Sequence, residues 1–165
     1  MLSQGGGPHA VLFVGAKGCG ANDLARILAA GWMCLQPEDG MPCGTCLPCR
    51  TTLSNTNVDF QWVKASGRGG GIRLNKIVER PGDKDDDTIP ILPFLRGRPL
   101  VAKRKVVVIE EAERLFADAA NALLKTLEEP ETHARLILTT SAVSRVLPTV
   151  LSRCLVQTCE LPTHQ

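Results

Sequence analysis

The chain has 165 residues, enough for one domain with a full apolar core and no need of disulfide staples. Its 19 basic and 17 acidic residues nearly cancel, which excludes a global polycation built to coat nucleic acid. No basic leader precedes a long apolar run, and the run at 10–15 is far too short to cross a bilayer. A cytoplasmic location is therefore expected, where seven cysteines read as metal ligands or reduced thiols.

Short apolar runs alternate with helical patterns, the signature of a mostly parallel α/β sheet covered on both faces. Strands are expected at 11–14, 59–63, 105–109, 135–138 and 155–158. The first strand runs into Gly15-Ala16-Lys17-Gly18-Cys19-Gly20-Ala21-Asn22, the frame of a phosphate-binding loop of the form G-x-x-x-x-G-K-[ST]. Gly15 and Gly20 keep the spacing. Ala21 stands where the lysine that reaches the β/γ-phosphates belongs, and Asn22 where the Mg²⁺-binding hydroxyl belongs. Asp23 follows, where its carboxylate would compete with phosphate for the positive end of the helix dipole. Lys17 lies four positions too early to replace the missing lysine. The first helix begins near Asn22, with Leu24, Ile27, Leu28 and Trp32 spaced for a buried stripe.

Cys34, Cys43, Cys46 and Cys49 follow in a C-x8-C-x2-C-x2-C pattern. Four thiolates supply a closed tetrahedral site, and Zn²⁺ is its usual occupant. With no open position for substrate, the role is structural. Pro42, Gly44 and Pro48 are turn formers, which suggests a knuckle rather than a helix. A redox C-x2-C is disfavoured because the cluster does not open a helix after a strand. Cys19, Cys154 and Cys159 have no partner at metal spacing and read as small core residues.

Further along, Arg73 and Lys76 fall on a short helix, and 81–93 reads as an irregular mobile loop with an acidic run from Asp83 to Asp87. Arg96, Arg98, Lys103, Arg104 and Lys105 form a basic stretch that is either a solvated face or a DNA-backbone contact. The strand at 105–109 ends in Glu110-Glu111, carboxylates at the carboxyl end of a strand, where ligands bind in such sheets. A helix at about 118–129 turns Leu123, Leu124 and Leu127 inward and stops at Pro130. Thr139 and Thr140 follow the fourth strand. Pro148 opens a short helix that ends near Arg153.

In this order and spacing, residues 9–162 resemble the clamp-loader subunits of bacterial DNA polymerase III, members of the AAA+ family. The resemblance is carried by the loop at 15–22, the four-cysteine insert and Lys105-Val106-Val107-Val108-Ile109-Glu110-Glu111-Ala112. It continues through Asn121-Ala122-Leu123-Leu124-Lys125-Thr126-Leu127-Glu128-Glu129-Pro130 and Ser152-Arg153-Cys154. It implies a P-loop NTPase-like domain over 1–165 with a zinc-binding insert at 34–49, ending before the family's helical lid and collar. It also implies a Walker B role for Glu110 and Glu111, with Glu110 where the family has Asp, and a sensor position at Thr139 or Thr140. The degenerate loop makes the chain similar to the delta-prime type, whose nucleotide site at Gly15, Gly20, Glu110 and Glu111 is vestigial. Only Met1 to Pro8 precede His9-Ala10, where family members usually carry a segment that packs on adenine, so ATP is not expected to bind. The resemblance makes Arg153 an arginine finger lent in trans to a neighbouring ATPase subunit. Its implied partners are gamma/tau-type and delta-type subunits, and through them the sliding clamp and primed DNA. A gamma/tau-like motor that hydrolyses ATP is the alternative, and a free-standing zinc module a third reading.

Overall fold

A computed structural model describes residues 7–66, 69–82 and 89–160. Five strands, β1 (Ala10–Val14), β2 (Phe60–Val63), β3 (Lys105–Ile109), β4 (Ala134–Thr140) and β5 (Leu155–Thr158), form one parallel sheet in the order β2-β3-β4-β1-β5. All five match the sequence expectation; β4 runs two residues further, so that Thr139 and Thr140 end the strand rather than follow it. The three inner strands are near-continuous apolar runs, as both faces of a covered parallel sheet require.

Alternation along the strands divides the core in two. Ala10, Leu12, Val107, Ile109, Leu136 and Leu138 meet α3 (Ile91–Arg96), α4 (Ala117–Glu128) and α5 (Pro148–Leu151) on one face. Val11, Phe13, Val106, Val108 and Ile137 meet α1 (Ala21–Met33) on the other. In α4, Leu123 and Leu127 are buried and Leu124 half-buried, as the periodicity predicts.

The inward stripe of α1 differs from expectation. Ala25, Ala29, Trp32 and Met33 face the sheet, Leu28 lies at the margin, and Leu24 and Ile27 are exposed. Small alanines let the helix approach closely, while the larger residues one turn aside sit on the outer surface. The prolines also mislead. Pro48 opens α2 (Leu47–Leu53) at a position where a missing N–H costs nothing, so Cys49 sits on a helix and not in a loop. Residues 91–96 form α3, with Pro93 in its first turn, so the irregular stretch is shorter than 81–93. The acidic run at 83–87 lies outside the described residues.

Asp59, fully buried just before β2, organises the segment after α3. Its carboxylate accepts the backbone N–H groups of Leu100, Val101 and Ala102 at 2.7–2.9 Å. Lys105 Nζ approaches it at 3.9 Å and lies 4.1 Å from the centre of the Phe94 ring. Lys105 is therefore a core residue and not part of a solvated basic face.

Candidate functional site

The loop after β1 keeps the backbone of a phosphate cradle. Gly15 N–H donates to the Thr140 carbonyl at 3.0 Å, and a Cβ on Gly15 would stand 2.6 Å from the Cys159 carbonyl oxygen, so no larger residue fits. Gly20 (φ 86°) caps α1 in the left-handed region that glycine alone enters freely. With the ends of β3 and β4, the loop encloses an open cleft of about 430 Å³.

Side chains inside the cleft are already engaged with one another. Asn22 Nδ2 donates to Glu110 Oε1 at 3.0 Å, while its Oδ1 accepts from Thr139 Oγ1 at 3.0 Å. Thr139 Oγ1 in turn accepts the Glu111 N–H at 3.4 Å. Trp62 Nε1 donates to Glu110 Oε2 at 2.7 Å, with Lys64 Nζ at 3.9 Å from the same oxygen. Lys17 lines the cleft and pairs with Glu111 at 3.3 Å, while Arg114 holds the other oxygen at 3.1 Å. The Arg114 hydrogen bond, aided by Lys17, holds the Glu111 carboxyl below its ordinary range. Glu111 sits at φ 55°, a left-handed conformation that costs free energy without glycine. Asp23 lines the cleft in the first turn of α1.

The donor set does not match a Mg²⁺-bound triphosphate. Position 21 carries no ammonium, position 22 carries no hydroxyl, and the amide there spans the carboxylate and threonine that metal and γ-phosphate would need. The motif and the family resemblance picked out the loop, Glu110, Glu111 and Thr139 or Thr140. They missed Trp62 and Lys64, whose only sequence signal is a polar-edged aromatic at the end of a short strand. They also missed Glu113, which accepts hydrogen bonds from Thr140 Oγ1 at 2.7 Å and Ser141 Oγ at 3.2 Å.

At the other end of α1 the four predicted cysteines converge. Cys34 caps α1, Cys46 caps α2 and Cys49 lies in α2, and the Sγ atoms of Cys34, Cys43, Cys46 and Cys49 all lie within 4.8 Å of one another. Four sulfurs at about 2.3 Å from a shared Zn²⁺ stand about 3.8 Å apart, so the cluster fits a four-thiolate metal site. Backbone N–H groups of Cys43 and Cys46 donate to Cys34 Sγ and Cys43 Sγ, both at 3.4 Å, the contacts that stabilise thiolates. The Thr45 hydroxyl, with backbone donors, brings the Cys43 thiol down to about 6, whereas burial pushes Cys49 up to about 12. The C-x2-C of Cys46 and Cys49 does open a helix, but after a turn rather than a strand. Of the other cysteines, Cys159 is buried and Cys19 and Cys154 are half-buried against the two cores.

Arg153 follows α5. Its guanidinium donates to the Thr149 carbonyl at 2.8 Å and to Ser152 Oγ at 3.2 Å, and it pairs with the Glu128 carboxylate on α4. Within the chain it therefore rests on α4, outside the cleft. Arg73 is exposed ahead of the 3₁₀ turn Leu74–Lys76, beside Arg80 and Phe116.

A parallel sheet between two helical layers, with a glycine loop leading from β1 into α1 and carboxylates ending β3, is the AAA+ class of P-loop fold. The fold matches a gamma-subunit-related protein of DNA polymerase III from Thermotoga maritima with a TM-score of 0.62 at 22% identity, over 94% of this chain and 42% of that one. The family model described as DNA polymerase III, delta subunit, matches residues 1–163, and the chain belongs to this family of bacterial polymerase III clamp-loader subunits. It is 35% identical over 154 residues to the DNA polymerase III subunit delta' of Pseudomonas aeruginosa, covering 93% of this chain and 44% of that protein. It is 36% identical over 154 residues to subunit tau of Escherichia coli K12, covering 93% of this chain and 22% of that protein. The chain thus spans less than half the length of these relatives.

Proposed function

We propose that the chain serves as a delta-prime-like, non-hydrolysing AAA+ unit of a DNA polymerase III clamp loader. The observation that supports this reading is the bridge from Glu110 through Asn22 to Thr139, which engages with protein hydrogen bonds the groups that Mg²⁺ and γ-phosphate would need. With the cleft given over to internal hydrogen bonds, the unit acts as a rigid neighbour. It lends Arg153 to the ATP site of an adjoining gamma/tau-type subunit, where a guanidinium offsets the charge that develops on the transferring phosphoryl group. Delta-type and gamma/tau-type subunits are the partners, with the sliding clamp and primed DNA reached through the complex in the cytoplasm. The four cysteines hold a structural Zn²⁺ within a single domain spanning 1–165.

Titration with Mg·ATP should give no saturable binding to this chain. In a reconstituted complex, Arg153→Ala should lower DNA- and clamp-stimulated ATPase by about 10³-fold, the lower end for arginine fingers, with assembly intact. Tight nucleotide binding and turnover by this chain itself would replace the reading with that of a gamma/tau-like motor.

A further inference from the structure

The amino-terminal end of the sheet, opposite the cleft, carries an unusual electrostatic arrangement. Val106 pairs with Arg135 in the β3–β4 register, so their side chains share a face. Arg104 precedes Val106 by two residues, just ahead of β3, which makes it a diagonal neighbour of Arg135 close enough for its charge to act on that guanidinium. Arg135 is only 6% exposed, yet neither arginine has a carboxylate partner among the described residues. Nη1 of Arg135 is fixed on the carbonyls of Thr132 (3.0 Å) and Ala134 (2.8 Å), while its Nε is buried with no acceptor. A second orphan donor lies at the same end and on the same side: Trp32 Nε1, in the last turn of α1, is also buried without an acceptor.

Two neighbouring guanidiniums, one almost wholly desolvated, form a charged pair with no carboxylate to offset it among the described residues. Burial, and then the charge of Arg104, pull the Arg135 guanidinium below its ordinary value. Buried polar groups in folded proteins are almost always satisfied, and a guanidinium fork matches the two oxygens of a carboxylate or phosphate. Lys103 is exposed alongside and adds to the positive field.

We propose that Arg104 and Arg135 form an oxyanion-binding site at the amino-terminal end of the sheet that takes a phosphate or carboxylate group. The site lies roughly 20 Å from Glu110, which follows Arg104 by six extended residues across β3 at about 3.3 Å each, and is independent of the vestigial cleft. Arg135 provides the pre-fixed donor and Arg104 the adjustable one.

The test is a thermal-unfolding titration of the zinc-loaded chain with two probes, inorganic phosphate and an N-acetylated pentaglutamate peptide, at constant ionic strength set by chloride. At least one probe should raise the melting temperature saturably, and the better one reports whether the natural group is a phosphate or a protein carboxylate. Arg104→Gln, at a half-buried position that folds readily, should weaken that affinity at least tenfold. Arg135→Lys should weaken it while keeping the charge, because the fork is lost. Lys17→Gln, in the cleft, should leave it within twofold. Absence of saturable stabilisation by both probes, a response that Arg104→Gln leaves intact, or one that Lys17→Gln abolishes, overturns the site.

Discussion

Asp59 illustrates how much a single side chain can organise. Its carboxylate is wholly buried and takes three successive backbone N–H groups, which fixes the segment from Leu100 to Ala102 although Leu100 itself is 77% exposed. Truncation would strand three backbone donors and the buried Lys105 together. Asp59→Ala should therefore destabilise the chain by about 3 kcal/mol or more in urea unfolding. Glu111 shows the opposite, solvent-screened case. Its carboxyl is depressed by Arg114 and Lys17, so its contribution to stability is present above the unfolded-state value and is lost as pH falls through the lower folded value. Carbon-detected NMR titration should place its midpoint below that of an ordinary glutamate, and Arg114→Ala should move it upward.

Among the elements, the insert between α1 and β2 gathers the four cysteines that could hold a metal ion. If Cys34, Cys43, Cys46 and Cys49 hold Zn²⁺, about one metal should co-purify per chain, and mutation of Cys46 to Ser should abolish it. Chelation should raise amide exchange in residues 34–53 while β3 and β4 stay protected, because those strands are buried by α1, α3 and α4 without help from the knuckle. This is also the scale at which sequence and structure part. Cysteine spacing and strand patterns were legible because each follows from a short, strong rule: ligand geometry in one case, burial on both faces in the other. The inward face of α1 was not, since Ala25 and Ala29 carry a weak apolar signal beside Leu24 and Ile27. Nor was α3, because Pro93 reads as a breaker although a first-turn proline sacrifices no hydrogen bond. The engagement of Asn22 with Glu110 and Thr139 joins residues 88 and 117 positions apart, which no local pattern encodes.

For the whole molecule, stability is concentrated in the middle of the sheet and fades toward one edge. Leu138 on β4 is fully buried, so Leu138→Ala should cost about 2–5 kcal/mol in chemical denaturation. Leu155 on the edge strand β5 is 51% exposed, so Leu155→Ala should cost less than about 1 kcal/mol in the same assay. The nucleotide-type cleft lies at the carboxyl ends of the strands, and Arg104 and Arg135 lie at the other, so the two polar regions are separated by the whole apolar slab.

The clasp between Arg153 and Glu128 has a thermodynamic corollary. Both side chains reach water, and a solvated pair of this kind is worth about 0–1 kcal/mol. Giving up that carboxylate therefore costs little, so the ion pair holds the guanidinium only weakly in place. In the proposed role, a polyphosphate carrying several negative charges would compete with that one carboxylate, and the arm would also have to leave the Thr149 carbonyl and Ser152 Oγ.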